Sequence, residues 1–254
     1  MSRIIAVANQ KGGVGKTTTA VNLSACLAEA GKTTLLIDID PQGNSTSGVG
    51  VQKSGEKTVY HMLLGECYFE ETLTQTNIEN LKIIPSNIDL AGAEIELFDY
   101  EKREFILKNI LSDRKYLFDF IIIDCPPSLN ILTINALTAA DTVLVPVQCE
   151  YYALEGLTQL LYTVELVKKK LNQKLAVEGL VFTMFDSRTN LSAQVVEEVK
   201  KHVGYNIYKT VIPRNVRLSE APSHGAPISV YDPKSKGAEA YSLLADEVMA
   251  RKEI

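Results

Sequence analysis

Near the start of the chain, Asn9-Gln10-Lys11-Gly12-Gly13-Val14-Gly15-Lys16-Thr17-Thr18 gathers two lysines and two threonines around three glycines. The run follows an apolar stretch at residues 4–8 and precedes a segment of helical period at 17–30. Strand, glycine loop and helix in that order are what a nucleotide phosphate loop requires. Gly12, Gly13 and Gly15, with Val14 between them, let backbone N–H groups close around phosphate oxygens, while the helix N-terminus adds partial positive charge. Lys16 is placed to neutralise the β- and γ-phosphates of a nucleotide, and the Thr17 hydroxyl, with Thr18 behind it, to bind Mg²⁺. The strict G-x-x-x-x-G-K-[ST] spacing fails, because the residue five before Gly15 is Gln10. Lys11 stands beside that position instead.

Open α/β sheets bind ligands at the carboxyl ends of their strands, so acids found there are the next candidates. The apolar run 34–37 ends in Asp38-Ile39-Asp40-Pro41-Gln42-Gly43-Asn44, and the run 118–123 ends in Asp124-Cys125-Pro126-Pro127-Ser128. Asp124 has the placement of an aspartate that holds Mg²⁺, often through water. Asp38 and Asp40 are two residues apart, so both are expected to point the same way, toward the phosphates.

The elements that must position these groups are legible as well. Further β-branched runs occupy 81–84, 142–147, 177–185 and 207–212, and segments of helical period occupy 131–140, 154–171 and 192–202. Strands that are nearly continuous in apolar residues, alternating with helices, predict an α/β fold with a mostly parallel sheet and helices on both faces. We expect a single domain over 1–254. The Gly- and Ser-rich stretch 43–55 is expected to be a mobile loop.

Composition narrows the function classes. The 254 residues are 46% apolar and 22% charged, as in ordinary globular chains, and the formal net charge is −5. Bulk charge therefore does not draw the molecule to nucleic acid or anionic lipid, and any such binding needs a local patch. Residues 186–254 carry ten basic and nine acidic side chains, whereas 1–185 carry 16 and 22, so positive charge is concentrated late. No Cys-x-x-Cys pair occurs among Cys26, Cys67, Cys125 and Cys149, and no signal peptide or bilayer-spanning run is present, which predicts a reduced cytoplasmic protein.

The loop Lys11-Gly12-Gly13-Val14-Gly15-Lys16-Thr17 resembles the deviant Walker A motif of the ParA/MinD group of P-loop ATPases. Asp38-Ile39-Asp40-Pro41-Gln42-Gly43-Asn44 resembles their switch I, and the wording from Arg188 to Ser192 and from Pro213 to Gly225 resembles the Soj-like chromosomal members. The resemblance runs from the first strand to the last helix through about five motifs. It implies a P-loop NTPase fold and an ATPase that uses ATP and Mg²⁺. It implies that Lys11 reaches the other subunit's ATP in a sandwich dimer, and that Asp40 positions the attacking water with Lys11 and Lys16 assisting. Asp38 would support the Mg²⁺ shell of Thr17 and Asp124 from behind, and Met184, Pro213 and Asn215 would lie in the base-binding region. Arg188 and Arg217, with Lys200 and Lys201 at the rim, would carry nonspecific double-stranded DNA binding by the ATP-bound homodimer. The implied partner is a ParB-type centromere-binding protein with a basic N-terminal segment, and the implied location is the nucleoid.

Rival readings share the phosphate loop. A MinD-like membrane-associated positioning ATPase would end in a basic amphipathic helix, but segment 238–254 sets Glu239, Asp246, Glu247 and Glu253 against Arg251 and Lys252. We therefore expect no membrane binding. An iron–sulfur carrier would need bridging cysteines that the spacing does not offer. A metabolic or signalling kinase is a third alternative.

Overall fold

Successive residues of the central strands pack into two separate apolar cores. Ile4, Ala6, Leu35, Ile37, Ile121 and Ile123 belong to one, and Ile5, Val7, Leu36, Phe120 and Ile122 to the other. A strand with both faces covered has no solvent side, which is why the sequence shows apolar runs rather than alternation. A computed structural model describes residues 2–150 and 153–251. Its strands are β1 (Arg3–Val7), β2 (Thr34–Asp38), β3 (Thr74–Gln75), β4 (Leu81–Ile84), β5 (Phe120–Asp124), β6 (Thr142–Gln148), β7 (Ala176–Phe185) and β8 (Ile207–Pro213). They form one sheet in the order β3-β4-β2-β5-β1-β6-β7-β8. All neighbours pair in parallel except β3, which runs antiparallel to β4.

Helices Lys16–Glu29 and Lys236–Ala250 cover one face, while Ile131–Ala139, Ala153–Lys170 and Asn190–His202 cover the other. The chain leaves β1 toward β2 on one side, while β6 lies on the other, so the end of β1 is a topological switch point. A ligand crevice belongs there.

Two expectations are corrected, and one strand is additional to those expected. The fifth strand begins at Phe120, not 118, because the Asp119 carboxylate turns back to accept hydrogen bonds from the Thr33 N–H and hydroxyl at 2.8 and 2.9 Å. The two-residue strand β3 is too short to leave a pattern. The stretch 43–55 is not simply a loop: it contains the helix Asn44–Gly48, with Ser45 and Thr46 fully buried. Gly43 starts that helix at φ 60°, and a Cβ there would lie 2.7 Å from the Ser86 carbonyl oxygen, so only glycine fits.

The helix Lys236–Ala250 spends its apolar face on the core, with Tyr241 buried and its hydroxyl 3.2 Å from Thr19 Oγ1. Glu247 accepts the N–H groups of Lys209 and Thr210 at 2.9 and 2.8 Å, closing the open edge of β8. Lys252, Glu253 and Ile254, part of the segment weighed above for membrane binding, lie outside the described residues. Among the described residues no helix is long and apolar enough to cross a membrane.

Candidate nucleotide site

Parallel register brings the strand-end acids together. Asp38 at the end of β2 lies opposite Asp124 at the end of β5, and Asp124 in turn lies opposite Val7 of β1, two residues before the phosphate loop begins. Three adjacent strands thus deliver two carboxylates and the glycine loop to one edge. The helix Lys16–Glu29 starts at Gly15, whose φ of 86° lets the chain turn from loop into helix.

The two loop lysines face different surroundings. Lys16 is buried, and its Nζ donates to the Lys11 carbonyl at 3.0 Å. Burial lowers its pKa, against the attraction of Asp124. Lys11 lies at the surface, and its ammonium pairs with Glu150 at 3.0 Å. Asn9 anchors this half of the loop: its amide donates to the Pro146 carbonyl at 2.8 Å, and its Oδ1 accepts the Lys11 N–H at 3.1 Å. Thr183 of β7 anchors the other half, its hydroxyl donating to the Val14 carbonyl at 2.8 Å. Thr18 lies in the first turn of the helix, where its carbonyl accepts from Asn22.

Asp124 is fully buried. One of its oxygens accepts the Ser45 hydroxyl at 2.8 Å, while Oδ1 has no hydrogen-bond partner. Burial, reinforced by the charge of Asp38, pushes its carboxyl up to about 8, although the nearby Thr17 hydroxyl and Ser45 hold it back. A free buried carboxylate oxygen beside a threonine hydroxyl is a hard-oxygen donor set, and it fits Mg²⁺. Among the described residues no group of three or more His, Cys, Asp or Glu side chains forms a complete metal cage. Mg²⁺ is commonly held by one or two carboxylates, with phosphate and water completing its shell.

Asp38 backs this site. Its Oδ2 accepts both the N–H and the hydroxyl of Thr46 at 2.8 Å, and its Oδ1 accepts the Asp40 N–H at 3.2 Å. Burial pushes its carboxyl up to about 6 against those bonds. Asp38 and Asp40 therefore differ: both oxygens of Asp38 are taken, by Thr46 and by the Asp40 N–H. Asp40 accepts the Gln42 N–H at 2.9 Å through one oxygen. Ser86 ties the assembly together, donating its hydroxyl to the Asp40 carbonyl at 2.8 Å and its N–H to Thr46 Oγ1 at 2.9 Å.

Sequence reasoning missed Ser45, Thr46, Ser86, Asn9 and Thr183. Small hydroxyl and amide residues carry no spacing signature, and only the register of the strands puts them here. The run Asn44-Ser45-Thr46-Ser47 after a switch-like glycine was the one available hint.

On the far side of the loop, Met184 and Pro213 close β7 and β8, with Phe185 paired to Pro213. Met184 adopts φ 52°, a left-handed backbone that a non-glycine residue rarely takes, and it is 38% exposed. Asn215 is an N-cap, its Oδ1 accepting the Arg217 N–H at 2.8 Å. The candidate DNA-binding cations all have acidic companions. Arg188 forks onto Asp186 at 2.7 and 2.9 Å, and Arg217 reaches Glu220 at 2.9 Å and Asp232 at 3.5 Å. Lys200 and Lys201 pair with Glu197 and Glu198 one turn back, at 3.6 and 3.1 Å. The Asp186 carboxyl is held well below its ordinary range by the Arg188 hydrogen bonds.

A phosphate loop at the switch point of a mostly parallel sheet, with a Mg²⁺-suited aspartate on the next strand, defines a P-loop nucleotide hydrolase. Known proteins agree. A family model described as an AAA domain matches residues 2–177. The sporulation initiation inhibitor protein Soj of Bacillus subtilis is 62% identical over 98% of this chain and 99% of its own. The chromosome-partitioning ATPase Soj of Treponema pallidum is 53% identical over 99% of this chain and 98% of its own. A Mycobacterium smegmatis crystal structure described as cobyrinic acid a,c-diamide synthase, with bound ADP and magnesium, superposes at a TM-score of 0.89 with 39% identity. It covers 100% of this chain and 98% of that one. The chain belongs to the Soj/ParA family of chromosome-partitioning ATPases.

Proposed function

We propose that this chain works as an ATP-driven partition switch: the ATP-bound form is a sandwich homodimer that grips double-stranded DNA without sequence preference, and partner-stimulated hydrolysis releases it. ATP and Mg²⁺ are its cofactors, held by the phosphate loop, Thr17 and Asp124. Bound Mg²⁺ neutralises phosphate charge. Lys16 and the loop N–H groups bind the phosphates, and Asp40 orients the water that attacks the γ-phosphate. Dimerisation follows the γ-phosphate because an interface cation gains attraction only when the facing anion is present. The observation that carries this reading is the division between the two lysines of one loop, Lys16 buried toward the strand-end carboxylates and Lys11 at the surface beside Glu150.

DNA binding in this reading belongs to Arg188 and Arg217, with Lys200 and Lys201 at the rim, and the releasing partner is a ParB-type centromere-binding protein. Phosphate contacts are individually screened by salt, so doubling them in a dimer couples DNA affinity steeply to nucleotide state. The place of action is then the nucleoid in the cytoplasm. Membrane association gains no support from the helix Lys236–Ala250, whose apolar face is already packed. The amidation named for the Mycobacterium neighbour is not carried over, since identity to the partitioning proteins is higher.

The test is a mobility shift on DNA of arbitrary sequence across ATP, ADP and salt. The reading predicts a shift with ATP, none with ADP, and a steep decline with salt. A shift independent of nucleotide would overturn it.

A further inference from the structure

Asn22 lies inside the helix Lys16–Glu29, between the buried residues Val21 and Leu23, where an asparagine is a poor helix former. Both ends of its side chain are used. The amide donates to the Thr18 carbonyl at 2.7 Å, one turn back and next to Thr17, and Oδ1 accepts the Ile228 N–H at 2.7 Å. One buried side chain thus joins the first turn of the phosphate-loop helix to the start of the helix Ile228–Tyr231.

A second contact reaches the same place from the switch side. The helix Asn44–Gly48, whose Ser45 and Thr46 hold Asp124 and Asp38, is followed by Gly50. A Cβ on Gly50 would lie 2.9 Å from the Gly225 carbonyl oxygen, and one on Gly225 would lie 3.1 Å from Gly50 Cα and 3.4 Å from the Ser47 carbonyl oxygen. The two backbones meet with no side chain between them, which only glycine on both sides allows.

What these contacts hold is the segment that carries Arg217. Glu220 accepts from the Arg217 guanidinium at 2.9 Å and from the Tyr231 hydroxyl at 3.2 Å, and Asp232 lies 3.5 Å from Arg217. The His224 ring stacks on Tyr231 with 4.8 Å between centroids, and Leu218, Ala221 and Ile228 form the buried side. Cross-linked in this way, residues 217–232 form one piece, with Arg217 at its exposed rim and Gly225 to Ile228 at its base. Moving the phosphate-loop helix or the switch helix without this piece would unpair the buried Ile228 N–H or drive two backbones together. Arg188 follows β7, on a segment that neither contact includes.

We infer that Asn22 is a positioning residue for DNA binding: together with the Gly50–Gly225 contact, it fixes the Arg217 piece to both nucleotide-holding elements of its own subunit. The nucleotide bound by each chain then sets where that chain's Arg217 stands, in addition to the doubling of contacts that pairing supplies. This deepens the proposed function and rests on its DNA step.

The experiment uses the full chain saturated with Mg²⁺ and a non-hydrolysable ATP analogue, its dimer mass checked by ultracentrifugation. Binding to a labelled duplex of arbitrary sequence is read by fluorescence anisotropy for wild type, Asn22→Ala, Arg217→Ala, Arg188→Ala and the doubles N22A/R217A and N22A/R188A. The inference predicts that Asn22→Ala weakens DNA binding by about tenfold, that N22A/R217A binds no more weakly than Arg217→Ala alone, and that the losses multiply in N22A/R188A. A general loss of folding would instead multiply with both arginine changes alike. Gly225→Ala, which wedges the second contact and leaves the phosphate loop untouched, should show the same pattern, and it decides the matter if Asn22→Ala does not form the dimer. Wild-type affinity in both variants, or losses that multiply with Arg217→Ala, overturns the inference and leaves the proposed function standing. If the wild-type dimer itself does not bind DNA, the DNA step of the proposed function falls, and this inference with it.

Discussion

The nucleotide end of the sheet and the cationic surface on the late part of the chain are built on opposite plans. At the nucleotide end, charged groups are buried and fixed by many partners: Asp38 by Thr46 and the Asp40 amide, Asp124 by Ser45, and the loop by Asn9 and Thr183. At the cationic surface, Arg188, Arg217, Lys200 and Lys201 are solvent-facing, and each holds a nearby acid. Buried ionisable groups at fixed positions are costly to charge until a cationic ligand offsets the burial, whereas exposed pairs cost little to exchange for phosphate. One end is therefore a preorganised binding site, and the other is a surface that can switch partners.

Substitutions can test that contrast directly. The largest effect belongs to Asp40→Ala, which should cut single-turnover ATP hydrolysis by about 100-fold or more while ATP binding is retained, so that the ATP-bound form accumulates. Hydrolysis at the parental rate would remove Asp40 from its role.

Asp124→Asn should weaken Mg²⁺-dependent ATP binding by about 100-fold, read by titration calorimetry. It should also change the pH response of the ligand-free protein. The unfolded chain ionises this carboxyl near its ordinary value of 3.8, and the folded one only at about 8. Between those values the folded state keeps a proton that the unfolded state has released. Ligand-free stability therefore falls as pH rises through that window, by at most about 1.4 kcal/mol per pH unit for this one carboxyl. Thermal unfolding between pH 6 and 8 should slope downward in wild type and be flatter in Asp124→Asn.

Thr46→Val removes the hydroxyl between Asp38 and the Ser86 N–H at nearly constant volume. It should cost about 1–3 kcal/mol in chemical denaturation, the penalty for unpairing buried polar groups, and slow hydrolysis. At the other region, Arg217→Ala should leave the unfolding midpoint and ATP-dependent association unchanged. Its effect is confined to DNA: weaker binding to every sequence alike, with the slope of log affinity against log salt reduced by about 1 for each phosphate that is no longer neutralised.

The same contrast explains which features are legible in the sequence. The phosphate loop and the acids at 38, 40 and 124 are legible because a strand end, a glycine turn and a helix start are contiguous in sequence, so spacing alone encodes their geometry. The α/β architecture is legible because both-face burial writes apolar runs into every central strand. The helix Asn44–Gly48 was not legible, since its Ser- and Gly-rich run has no apolar period. It is held instead by Asp38 and Asp124, from strands that become neighbours only through β2–β5 pairing. The two-residue β3 is shorter than any pattern. For the late cations, composition gave the sign of the charge but not that Asp186, Glu220, Glu197 and Glu198 would each sit against one of them.

In the proposed function a terminal phosphate joins two chains through Lys11. The most direct measurement is the mass in solution by analytical ultracentrifugation, for wild type and Lys11→Ala, with Mg²⁺ and either ADP or a non-hydrolysable ATP analogue at saturation. The account predicts a single chain with ADP, a dimer with the analogue, and a single chain in both nucleotides for Lys11→Ala. Wild-type protein that binds the analogue yet remains a single chain would contradict it.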